Sequence, residues 1–261
     1  MGISSRSWLP VAAYLYVLNL DGPSLAWEYL RRNADYRRDY GRGERDSTYF
    51  AEQWGLAFPE NPDLDARMVQ PVWRSAPDAL VRVTADNDDE TSDADHFSLW
   101  AIPGRKSLRY DGRRLLLTAA LGAHVLRMAL ANDVCDGGSF AYVIRSGPRA
   151  RARWQAVQQQ LAKSQATEPA RPYTVTVRPS RLALLHMRAL QALDGVLAGA
   201  SQRDIAMAIF GEQRVAEGWH ADSELRAQTR HLIRRAEAFT RGDYRSLVTR
   251  GSSYAYGGQP H

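Results

Sequence analysis

Apolar positions along the chain change their period three times, and each change predicts a different kind of element. Near the N-terminus "LPVAAYLYVLNL" has helical spacing and stops at Asp21-Gly22-Pro23. Ser24 then stands where it would cap "LAWEYLRRNADYRRDY", in which Trp27, Leu30 and Tyr36 repeat with partial helical spacing. From Phe97 the pattern shortens to alternating runs: "FSLWAI", "SLRY", "RRLLLT", "AHVLRMAL" and "FAYVIR". Asp111-Gly112 between the second and third is a two-residue hairpin signal, and Asp136-Gly137-Gly138 marks a longer turn. About five antiparallel strands are predicted. Gly147-Pro148 opens a further helix with Trp154, Val157 and Leu161 on one face, and "ATEPARPYTVTVRPS" reads as a Pro-bearing seam with a short strand at Tyr173 to Val177.

After Ser180 the helical period returns almost to Leu247. Leu182, Leu185, Ala189, Leu193, Val196 and Leu197 line a long helix that Gly199 breaks. "SQRDIAMAIFG" follows, with Ser201 and Asp204 placed for a capping box and Gly211 for a stop. "GEQRVAEGWHA" reads as a loop plugged into the core by Val215 and Trp219. The next helix, capped by Asp222 or Ser223, has opposed faces. Leu225, Thr229, Leu232, Ile233, Ala236 and Phe239 form one; Ser223, Arg226, Arg230, Arg234 and Arg241 form the other. A helix packed on a core and lying on DNA needs that division. Arg226 and Arg230 are candidates for base edges, and Arg234, Arg235 and Arg241 for phosphates, while Ser201, Gln202 and Arg203 are aimed at the DNA backbone.

Charge modifies this picture in two places. The net charge is +5, and all basic residues but Lys106 and Lys163 are arginine, a bias assigned to base composition of the genome except in local clusters. Arg145, Arg149, Arg151 and Arg153 make one such cluster, open to a solubilising or a phosphate-binding role. Residues 1–60 hold seven Arg and eight acids, so the Arg31-Arg32 and Arg37-Arg38 pairs read as a solvated face. Residues 85–95, "ADNDDETSDAD", lack apolar periodicity and read as an exposed acidic connector.

Catalytic and metal constellations are absent from the pattern. The six histidines are scattered without ligand spacing, His186 reads as a core or boundary residue, and Cys135 as a buried one. No enzyme activity and no cofactor are expected. One cysteine, no cleavable leader and no bilayer-length apolar run predict a cytoplasmic chain without a membrane partner.

"AWEYLRRNADYRRDYG" resembles the transcriptional-regulator-like domain of proteobacterial mobile elements, and the stretch from Ser201 to Val248 is similar to the domain that accompanies it. The pair resembles the FseA-type activators of excision of integrative and conjugative elements, to which QseM-type antiactivators are related. That resemblance implies a DNA-binding transcriptional activator of an excisionase (directionality factor) gene. Its partners would be duplex promoter DNA, RNA polymerase and a small antiactivator. The alternative is an antiactivator-like protein that binds another transcription factor. The fold class follows as α+β: a helical regulator-like domain at 1–76, an acidic linker at 77–96, a β-rich domain with a closing helix at 97–170, a helix-turn-helix-like domain at 171–248 and a tail at 249–261.

Overall fold

The computed structural model describes residues 7–43, 46–74, 80–86, 96–121, 124–144, 146–148, 150–165 and 179–249. Residues 87–95 of the expected acidic connector, the strand at Tyr173 to Val177, Arg145, Arg149 and the tail beyond 249 lie outside the described residues. The fold is α+β, with helices at both ends of the chain and a five-stranded, mostly antiparallel sheet between them.

Val11–Asn19 forms a 3-10 helix, followed by α1 (Gly22–Leu30), α2 (Ala34–Gly41), α3 (Ser47–Gln53) and the single turn α4 (Ala66–Val69). Asp21 caps α1, not Ser24: its carboxylate accepts the Ser24 amide at 2.9 Å, and Pro23 occupies the first turn, where its missing N–H costs nothing. The stretch expected as one helix from Leu25 to Tyr40 is two. Asn33 breaks it by accepting the amides of Asp35 and Tyr36, which starts α2. Every residue of α1 is buried, which is why its apolar spacing is only partial.

The C-terminal part comprises α6 (Arg181–Leu197), α7 (Gln202–Phe210), α8 (Glu212–Gly218), α9 (Glu224–Ala238), a π turn (Phe239–Asp243) and α10 (Tyr244–Thr249), with α5 (Ala150–Gln165) before them. Although well over a hundred residues separate the two ends in sequence, their side chains occupy one hydrophobic core. Trp27, Tyr29, Tyr36 and Phe50 come from the first part; Leu190, Ile205, Leu232 and Tyr244 come from the second. α6 is its axis. Gly195 lets Ile205 and Trp8 close on that helix; a Cβ there would stand 2.8 Å from Ile205 Cγ1. Leu197, expected on the packed face, is exposed.

The sheet runs β2 (Arg105–Tyr110), β3 (Leu115–Leu121), β4 (His124–Leu130), β1 (Val81–Ala85), β5 (Phe140–Tyr142). The β2–β3 hairpin turns at Asp111-Gly112, with Gly112 at φ +87 and the Asp111 amide bonded to the Arg114 carbonyl. Two expectations change. "FSLWAI" is not a strand: Phe97 packs against Phe140, the Leu99 amide donates to the Asp136 carboxylate, and Trp100 is 78% exposed. The fifth strand is instead "VRVTA", inside the stretch expected as linker. It inserts between β4 and β5, pairing parallel with the first and antiparallel with the second. β3 is buried on both faces, so "LLLTAAL" is continuous rather than alternating. Leu117 and Ala119 share a core with Val157 of α5. Leu116 packs on the other side with Ala57 and Val72 of the helical body. Trp154, expected beside Val157, is exposed, and so is Cys135, expected as buried.

Buried charges tie these parts together. The Arg32 guanidinium grips Asp194 of α6 with two bonds, 2.6 and 2.8 Å, and gives a third of 2.7 Å to Glu28. Tyr14 donates to Asp194 and Tyr16 to Glu28, while the Ala66 amide donates to the other Glu28 oxygen. Burial pushes the Glu28 carboxyl up, but the Arg31 and Arg32 charges and the Ala66 amide outweigh it and hold it at about 2. Arg127 of β4, 2% exposed, reaches Asp21 at 2.6 Å and joins the sheet to the start of α1. Arg32, expected on a solvated face, is thus interior, as is Glu28. Sequence spacing shows which residues share a helix face but not what packs against it.

Candidate nucleic-acid interface

The packing of α7, α8 and α9, which follow the axis helix α6, decides which side chains stay outside. α7 begins with the capping box as expected: the Asp204 amide donates to Ser201 Oγ, and the Asp204 carboxylate accepts from the Ser201 amide at 3.1 Å. α7 ends at Gly211, whose φ of +94 lets the chain reverse into α8 at once. The stretch expected as an eleven-residue loop is therefore largely helix. Val215 is fully buried against Ala206 and Leu225, and Trp219 packs partly buried on the same cluster. Ala206, 0% exposed, has no side chain beyond Cβ, so α8 and α9 approach α7 closely there.

α9 is fixed in register by its inner face. Leu225, Thr229, Leu232, Ile233 and Ala236 are buried, and Thr229 returns its hydroxyl to the Leu225 carbonyl at 2.7 Å. Ser223 caps the helix by accepting the Arg226 amide. Its side chain is turned inward and 6% exposed. Arg230 and Arg234 stand on the outer face with His231 and Ala227, and Arg226 lies half-buried along one flank. Among the described residues none of Arg226, Arg230 and Arg234 is ion-paired. Arg241, in the π turn beyond the helix, is exposed and reaches Glu237 only at 3.8 Å.

Arg235 is placed apart from that group. Its guanidinium lies 5.1 Å from the Phe239 ring centroid, and its charge is felt inside the core. Burial, aided by Arg235, pulls His186 down to about 3. The neutral His186 ring shares a 2.8 Å hydrogen bond with the Tyr29 hydroxyl. Ser201, Gln202 and Arg203 are exposed at the first turn of α7. His231 and Arg214, exposed on α9 and α8, were not among the sequence candidates. Arg214 was hidden because its segment reads as a loop. The signal was Val215 and Trp219, spaced one helical turn apart just after Gly211.

The composite surface presents uncompensated arginines on a helix that cannot rotate, because its other face is locked in a core. Such groups donate to phosphate oxygens and to the acceptor edges of guanine. Acids mark the border: Asp222 and Glu224 are exposed at the N-terminal end of α9.

Comparison with known families fits this surface. Residues 143–249 match a T6SS transcription factor DNA-binding domain, and residues 7–59 a proteobacterial transcriptional regulator-like domain. Together they support a transcriptional regulator. Residues 78–125 of this regulator match a domain of unknown function, which covers β1 to β3. No curated protein matches the chain. The DNA-binding match contains α5 to α10, hence all of the exposed arginines described above, and makes DNA the regulator's supported partner. Among the described residues no helix is long and apolar enough to cross a membrane.

Proposed function

We propose that the chain is a sequence-specific activator that meets duplex DNA through the outer face of α9. It switches on an excisionase-type gene of an integrative and conjugative element, the role the FseA-type resemblance implies. The observation that carries the DNA reading is the row of Arg226, Arg230 and Arg234, unpaired among the described residues, opposite a buried face. Arg230 and Arg234 are the proposed base and phosphate contacts, with Arg226 and Arg241 flanking them. Exposed Asp222 and Glu224 disfavour phosphates at the helix N-terminus, which supports contact through the middle of α9. Ser201, Gln202 and Arg203 supply the second set of backbone contacts. Arg235 and Ser223 act from behind, through packing and capping. RNA polymerase is the proposed partner of the promoter-bound protein and a small antiactivator its proposed brake.

A gel shift with the promoter fragment of the element's excision gene tests this reading. Binding is expected to weaken steeply with salt, by a log–log slope of about −0.9 for each phosphate neutralised. Arg230→Ala is expected to cost about 1–3 kcal/mol and to relax specificity at one base position. Absence of binding at low salt contradicts the reading, and would favour the protein-binding alternative.

A further inference from the structure

A cavity of about 540 Å³ opens between the N-terminal helices and the end of α6. That volume falls in the range of small-molecule sites, roughly 300–1,000 Å³. We infer that it binds a small organic anion carrying a carboxylate or phosphate group. The inference does not rest on the DNA interface.

Its inner wall is fixed. Arg32 is closed off by Asp194 and Glu28, and Tyr14 and Tyr16 are held by the same two carboxylates. The mouth is different. Arg31 and Arg37 bring their Nη1 atoms to one neutral oxygen, the Pro62 carbonyl, at 3.4 and 3.3 Å. The acceptor they share is uncharged, so it does not itself offset the repulsion between the two guanidinium groups. Their carboxylates sit to either side: Glu28 on Arg31 Nε and the exposed Asp63 on Arg37 Nη2. A third guanidinium, Arg67, lies 4.3 Å over the Tyr16 ring and is paired with Asp65, which also lines the cavity.

The outer pairs, Arg37 with Asp63 and Arg67 with Asp65, have arginines 41% and 60% exposed. Pairs of that kind contribute about 0–1 kcal/mol, so a ligand anion can take over their forks at little cost. Tyr14 and Tyr16 line the cavity with Ala13 and Leu197 and offer the organic body apolar surface. This also accounts for Leu197, an exposed leucine at the end of α6.

Titration calorimetry of the full chain with pyrophosphate and with citrate, at constant ionic strength, tests the site. At least one anion is expected to bind saturably with Kd at or below about 1 mM. The melting temperature should then rise with its concentration, as for any ligand of the folded state. Arg37→Ala with Arg67→Ala should bind at least tenfold more weakly, while melting like the wild type without anion. Absence of saturable binding by either anion at about ten times that concentration overturns the proposal. So does binding by the double variant as tight as that of the wild type.

Discussion

Arg32 and Arg230 are the same residue type in two regions of one molecule, and they do opposite work. Arg32 has its fork filled by Asp194 and Glu28, is buried, and fastens the N-terminal helices to α6. Arg230 is exposed with no ionic partner among the described residues. A buried arginine is tolerated only when its donors are satisfied, so its carboxylates are fixed before any ligand arrives. An exposed arginine without a partner stays hydrated and keeps its donors for a ligand. In an arginine-rich chain, a buried fork filled by carboxylates separates a bolt from a binding group.

The sharpest way to break that comparison is to remove the bolt. Arg32→Ala leaves Asp194 buried without its paired cation and Glu28 with Arg31 alone, and should cost about 3–5 kcal/mol in urea unfolding. A loss below about 1 kcal/mol would place Arg32 with the surface arginines.

Acid acts on the same region. His186 is neutral inside the core, pulled to about 3, whereas its unfolded value is 6.5; the unfolded chain takes up the proton first. The Glu28 carboxylate is held at about 2 against an unfolded 4.5, so the unfolded chain is again protonated first. Both contributions are complete at neutral pH and shrink as pH falls. Stability in urea should therefore decline below about pH 6.5 and more steeply below about pH 4.5. His186→Gln should flatten the upper part of that decline, and an unchanged profile would contradict the buried neutral imidazole.

Smaller effects belong to the other region. Ser201→Ala removes one half of the α7 capping box and should cost about 1 kcal/mol. Arg230→Ala should change stability by no more than about 0.5 kcal/mol, because no structural partner is lost.

The sequence made local features legible and left long-range ones dark. The capping box of α7, the Asp111-Gly112 hairpin and the two faces of α9 are set by residues within one or two turns of each other, and all are present. β1 was missed because its partners β4 and β5 come later in the chain, while its neighbours are acids. The interior of α1 was missed because a helix buried all round loses its stripe. α8 was missed because seven residues hold too few apolar positions to show a period. Within the candidate interface, spacing grouped Arg226, Arg230 and Arg234 on one side of α9. It could not show that Arg235 leans over Phe239 or that Ser223 turns inward.

The central claim is that the exposed arginines of α9 serve DNA and not the fold. It is tested most directly by measuring promoter-DNA affinity and melting temperature together for Arg230→Ala with Arg234→Ala. Melting should match the wild type, while affinity falls and the salt slope shrinks by about one unit for each phosphate contact removed. Unchanged affinity with unchanged melting would contradict the account.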